Sequence, residues 1–209
     1  MKRVAIILGC LLLGTVAFGQ DYPKIEIPIG YSYMHFNPEN SNVVSGFSLN
    51  GGGGGVAVYI HDWIGIQAEF EGYGSATKTF AFSGSNSFCP SGCTVTANGS
   101  LFTYAVGPIF KHRSEHFETF IETLVGGAHS DVYGNLLKAC ALACVTTKSV
   151  DNNAWSFILG GGFDIPVSKA IAIRPAQFDF ELTRFDSAFT NSNHNQSNFR
   201  YQAGVIIRF

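Results

Sequence analysis

The sequence predicts an all-β protein, an eight-stranded antiparallel up-and-down transmembrane β-barrel, and three observations carry that expectation. Segments of strand length alternate, residue by residue, between a bulky apolar face and a small, polar or charged one. Eight such segments are joined by connections that are short and long in turn, as a barrel needs when its two ends face different compartments. Charged residues make up only 13% of the 209-residue chain, about half the share of a typical soluble domain and too few to cover a wet surface. The net charge of -2 comes without a basic stripe or arm, so nucleic acid is not an expected partner.

Residues 1–19 have the layout of a secretory signal peptide. Lys2 and Arg3 precede an apolar run from Val4 to about Val16, and Ala17 and Gly19 lead to cleavage before Gln20. The barrel domain is then 20–209, exported from the cytoplasm. Cys10 in "ILGC" has too short an apolar run before it, and too long a one after it, for a lipoprotein acylation site. Beyond the signal peptide, no run approaches the roughly 18 apolar residues of a membrane helix.

The first strand, Lys24 to Phe36, sets Ile25, Ile27, Ile29, Tyr31 and Tyr33 against Lys24, Glu26, Pro28, Gly30, Ser32 and Met34. The second, Gly53 to His61, emerges from a glycine run. The third, Ile64 to Tyr73, opposes Ile64, Ile66, Ala68 and Phe70 to Gln67, Glu69 and Glu71. In the fourth, Leu101 to Phe110, the bulky face is Phe102, Tyr104, Val106 and Phe110. The fifth, Phe117 to Ala128, separates its faces less cleanly. The sixth, Ala154 to Asp164, sets Trp155, Phe157, Leu159 and Phe163 against Ser156, Gly160, Gly162 and Asp164.

The seventh segment, Ile171 to Phe185, changes phase. Ile171 and Ile173 belong to one alternation, Phe178, Phe180 and Leu182 to the other. A bulge near Pro175 reconciles them, because proline lacks a ladder donor and a bulge shifts the phase by one residue. The eighth, Asn198 to Phe209, keeps its apolar side to the last residue. An eight-stranded barrel has room inside for side chains only, so the small, charged face points inward and the apolar face meets lipid. Tyr31, Tyr33, Tyr59, Trp63 and Trp155 are then expected in interfacial girdles.

The short connections are "HDW", "KHRSEH" and "IPVSK". Residues 37–52, 74–100, 129–153 and 186–197 form four long external loops, and both termini lie at the short-turn end. Cys89 and Cys93 in "CPSGC" and Cys140 and Cys144 in "CALAC" fall in these loops. An even cysteine count in an exported chain favours disulfides, here the local pairs 89 with 93 and 140 with 144, with a four-cysteine zinc site as the alternative.

Other motifs carry less chemistry. "NGGGGGVAVYI" lacks the Lys-Ser or Lys-Thr and the helix of a phosphate loop, and reads as a strand start where bulky inward groups come close. His112 and His116 lie in a turn. His35, His129 and Ser130 raise a barrel-wall lipid-modifying enzyme as a third option, but no orienting carboxylate or oxyanion donor accompanies them. No catalytic residue, metal or cofactor is expected.

The main constellation is the inward charge set: Glu26, Glu69, Glu71, Asp164, Asp179 and Glu181 with Arg174, Arg200 and Arg208, joined by Glu118 and Glu122. In so narrow a lumen these charges must pair or meet water. A salt-bridged plug is the expected arrangement, and a narrow gated ion path is its alternative.

The last residues, "QAGVIIRF", resemble the C-terminal β-signal read by the outer-membrane assembly machinery of Gram-negative bacteria, with Gln202, Gly204, Ile207 and Phe209 at its defining positions. The segments "TYAVGPIF", "LVGGAH", "ILGGGFDIPVS" and "IAIRPAQFDFELTRF", with inward Arg174, resemble the fourth to seventh strands of the OmpA-like family. That resemblance implies a monomer in the cell outer membrane, with lipid and the barrel assembly machinery as partners. It also implies a structural or surface-interaction role, with any external ligand bound through the loops. Wall anchoring through a peptidoglycan-binding domain is not implied, since none follows Phe209.

Overall fold

The computed structural model describes residues 22–37, 47–82, 93–130, 153–186 and 193–209. The signal peptide expected at 1–19 lies outside them. The described residues form eight strands: β1 (Ile25–Phe36), β2 (Phe47–His61), β3 (Ile64–Phe82), β4 (Cys93–His112), β5 (Glu118–Ser130), β6 (Asn153–Pro166), β7 (Ile171–Asp186) and β8 (Asn193–Arg208). Each pairs antiparallel with its neighbour in sequence, and β8 returns to β1, which closes the barrel.

The closing pair runs in continuous register from Glu26 opposite Arg208 to His35 opposite Phe199. The chain end is tied into it: the Lys24 amide donates to the Phe209 carbonyl at 2.8 Å, and the Phe209 amide donates to the Ile25 carbonyl at 2.9 Å. Gly204 and Gly30 sit opposite each other here, and a Cβ on Gly204 would come within 2.7 Å of the Gly30 Cα. Only paired glycines permit that approach. Closure leaves no edge strand, which a hydrocarbon surround requires.

The phase change in β7 is a bulge at Pro175. Arg174 faces Gly204 and Gln177 faces Gln202, so Pro175 and Ala176 together span one residue of β8. The Tyr201 hydroxyl donates to the Pro175 carbonyl at 2.8 Å across it. Both halves of β7 therefore bury inward polar residues, Arg174 in one and Gln177, Asp179 and Glu181 in the other, and expose Ile171, Ile173, Phe178 and Phe180.

Three expectations need correction. The strands run further than the hydrophobic alternation marked. β3 and β4 stay paired out to Phe82 opposite Cys93, and β4 continues through His112 at the turn end. Polar residues such as Thr77, Asn98 and Thr79 do not end a ladder once both partners supply backbone groups. The loop disulfides are withdrawn: no disulfide occurs among the described residues. Cys93 lies in a strand, opposite Phe82 in the ladder, while Cys89, Cys140 and Cys144 lie outside the described residues. Tyr59 is not in a girdle. It is 2% exposed inside the barrel, where its hydroxyl donates to Glu26 at 3.2 Å.

Candidate functional site

The outer surface carries the large apolar side chains. Ile29, Val56, Ile66, Phe70, Val106, Ile121, Val125, Leu159, Val205 and Ile207 are all exposed, and so is terminal Phe209. Aromatic residues gather at both levels of this band. Trp63 stacks on Phe110 and Phe117 on Phe163 near the short turns, while Phe178 stacks on Phe199 and meets Tyr201 further along. Most charged side chains of the strands are inside instead. An apolar belt on a closed sheet is stable only where water does not reach it. The chain is a transmembrane β-barrel.

The barrel's candidate site is its lumen, and it is zoned. Nearest the short turns lies a network of three acids and four cations: Glu26, Glu118 and Asp164 with Lys111, Arg113, Arg174 and Arg208. Lys111 Nζ reaches Glu26 at 2.5 Å and Asp164 at 2.8 Å. Arg174 forks onto Asp164 through Nε at 2.7 Å and Nη2 at 3.1 Å. Arg113 Nη1 donates to Glu26 at 2.9 Å, and Arg208 pairs with Glu118. Aromatic faces complete the packing: Arg174 lies 4.0 Å from the Phe120 ring centre and Arg113 4.5 Å from that of Tyr59.

The middle of the lumen has the opposite balance. Glu69, Glu71, Glu122, Asp179 and Glu181 surround Arg200, the one cation of this zone among the described residues. Arg200 holds Glu69 through Nη2 at 2.5 Å and Asp179 through Nε at 2.8 Å. Two glutamine amides bridge the remaining gaps. Gln67 donates to Glu122 at 2.7 Å, and Gln177 donates to Glu122 at 3.0 Å and to both Asp179 oxygens. Ser156 donates to Glu181 at 2.7 Å. One oxygen each of Glu71 and Glu181 has no hydrogen-bond partner.

Towards the long loops an apolar patch joins the buried polar side chains of Ser130, Thr183, Gln196 and Asn198. Met34, Phe36, Phe47, Leu49 and Leu101 are buried there, with Phe36 and Phe47 ring centres 5.3 Å apart. The inward glycines supply space for the charges below: a Cβ on Gly53 would meet the Glu71 carboxyl carbon at 2.6 Å.

Every acid and arginine of the expected inward set is inside. Lys111 and Arg113 are the residues that sequence reasoning missed, because "KHRSEH" reads as a turn. The signal was present, since Thr103, Ala105, Gly107, Ile109, Lys111 and Arg113 share one parity. His129 and Ser130 stand on opposite faces of the wall, His129 exposed with Nδ1 2.9 Å from Asn153 Oδ1 and Ser130 buried. They do not form a nucleophile and base pair. Of the terminal motif, Ile207 and Phe209 face outward, while Gly204 and Gln202 lie on the inward phase.

No protein-family model and no curated protein matches the chain. Solved structures do. The outer membrane protein OprG of Pseudomonas aeruginosa superposes with a TM-score of 0.58 at 11% identity, over 90% of this chain and 97% of that one. Neisserial surface protein A superposes at 0.57 with 10% identity, over 89% and 97%. At this identity the likeness is one of fold, an eight-stranded antiparallel barrel, which is coarser than the OmpA-like resemblance. The GP and GGG-D steps behind that resemblance are answers to crowding inside a narrow barrel. Gly107 lies against the β5 backbone at Leu124, and Gly162 against the β7 backbone at Gln177.

Proposed function

We propose that the protein is an occluded outer-membrane barrel whose work is structural or surface-directed, with any external ligand met by the segments beyond the described strands. The observation that carries this reading is the filled lumen: the Lys111 and Arg200 side chains, each ion-paired to two or more acids, are both 0% exposed. A permeant ion would have to displace groups held by several charge-assisted bonds at two successive levels. Lipid is the surrounding partner, and one copy suffices because closure leaves no edge to pair.

Planar-bilayer recording of refolded protein tests the reading. The expected result is no stepwise conductance, from wild type or from Arg174→Ala. Reproducible channels that change with Arg174→Ala would replace the plug with the narrow ion path, which the acid surplus of the middle zone would make cation-selective.

Residues 1–19 are proposed as the cleaved signal peptide, and Gln202, Gly204, Ile207 and Phe209 as the motif read by the assembly machinery. The outward Ile207 and Phe209 beside the closing seam support the latter, since they are accessible before β1 and β8 meet. Deleting Phe209 is expected to reduce outer-membrane assembly in cells while leaving refolding into detergent largely intact. Unchanged assembly would remove the assignment.

A further inference from the structure

On the outer-membrane reading above, which sets the short turns in the periplasm, we propose that the outer wall at the turn end binds a phospholipid of the periplasmic leaflet through a zwitterionic headgroup of the phosphoethanolamine class. The site is a cleft of about 360 Å³ over the β4–β5 pair, formed by the side chains of Trp63, Phe110, His112, Thr119 and Ile121. One water takes about 30 Å³, so the cleft has room for a headgroup and the start of a chain. Its floor is backbone at Lys111 and Phe120, whose side chains are buried in the lumen. Two aromatic stacks wall it. Trp63 lies on Phe110 with ring centres 6.1 Å apart, and beyond Thr119 the Phe117 and Phe163 rings stack at 5.1 Å.

The cleft is continuous with the apolar belt, so its occupant is lipid. Exposed Phe110 and Ile121, opposite each other in the ladder, face the acyl chains. Trp63 marks the interfacial level, where an indole meets both hydrocarbon and water. Two residues nearer the turn, His112 stands opposite Thr119, both exposed, and neither side chain has a hydrogen-bond partner among the described residues. The imidazole N–H and the threonine hydroxyl can both donate, and a lipid phosphate at that level accepts. Charge decides the rest of the headgroup. Asp62 precedes Trp63 in a turn tied to the end of β4: the Lys111 amide donates to the Trp63 carbonyl at 2.9 Å, and Arg113 Nε to the Asp62 carbonyl at 2.9 Å. The Asp62 carboxylate is exposed and has no partner among the described residues, while Arg113 turns its Nη1 inward to Glu26. A carboxylate beside two phosphate donors fits a headgroup that carries an ammonium beyond its phosphate, and it repels a purely anionic one.

The test is quenching of Trp63 fluorescence in phosphocholine vesicles doped with a lipid brominated on its chains and bearing either a phosphoethanolamine or a phosphoglycerol headgroup. Trp155→Phe leaves Trp63 as the one tryptophan of the chain. The phosphoethanolamine lipid is expected to quench half-maximally at a lower fraction than the phosphoglycerol lipid, by a factor of about two to five, the worth of one exposed ion pair. Asp62→Asn should remove that preference and Asp62→Lys reverse it, both in an exposed turn. His112→Ala combined with Thr119→Val should raise the fraction needed of either lipid. Trp63→Phe, which reports from Trp155 at the long-loop end, should show no preference. Equal quenching of Trp63 by the two headgroups, a preference that survives Asp62→Asn, or the same preference at Trp155 would each overturn the proposal and leave the membrane reading intact. Absence of quenching at both tryptophans would overturn the two together.

Discussion

At the turn end of the lumen four cations hold three acids, and each acid touches at least two of the cations; at mid-height one arginine serves five acids, held partly by glutamine amides. Both zones are buried by the same wall and built from the same inward phase of the same strands. The difference lies in what removal of one partner leaves behind. A redundant network redistributes its charges, whereas a zone with one cation has nothing to substitute.

The sharpest break of this comparison is Arg200→Met. It leaves Glu69 and Asp179 buried with no cation in their zone, and a loss of about 3–5 kcal/mol is expected, the usual cost of orphaning buried charge. Urea titration of the heat-modifiable band in gel electrophoresis would measure it. Lys111→Met should cost less, about 2 kcal/mol, because Arg113, Arg174 and Arg208 still face Glu26, Glu118 and Asp164. If Lys111→Met proved the more damaging, redundancy would not be what separates the two zones.

Gly53→Ala sharpens the comparison from the side of space. The new methyl group would press on the Glu71 carboxyl group and the β3 backbone, and overpacking of this kind costs about 1–3 kcal/mol. The same denaturation curve checks it, and combining it with Glu71→Ala should recover part of the loss. The smallest effects carry opposite signs. Glu26→Gln, which takes an acid from the balanced zone, is expected to destabilise by about 1–2 kcal/mol. Glu122→Gln, which takes one from the surplus, should be neutral or stabilising by up to about 1 kcal/mol. Parallel losses for the two would mean that mid-lumen acids are as well compensated as those at the turn end.

How much of this was legible beforehand depended on periodicity. The inward Glu26, Glu69, Asp179 and Arg200 follow from a period of two, and Pro175 marked its own bulge because proline cannot donate to a ladder. Lys111 was hidden by its neighbours: two histidines, an arginine and a serine make a turn-like stretch, although the strand carries on through His112. Tyr59 was misplaced because tyrosine suits either a membrane interface or a buried carboxylate, and only the pairing of β1 with β2 brings it to Glu26. Of the apolar inner patch, Met34 falls on the inward phase of the first strand, but Phe36, Phe47 and Leu49 were unread, the last two because they sit in 37–52, a stretch that reads as a loop.

The sequence by itself determined that the chain forms strands, how many, and which face of each is apolar. Those are local properties, set by alternation along one strand and by the length of its connections. Only the tertiary structure decided which acids share a cation, where the surplus sits and which zone is balanced. Ion pairs in a barrel join strands far apart in sequence, as Lys111 does with Glu26 and Arg208 with Glu118. Their partners are fixed by register and shear around the closed sheet, which no single strand encodes.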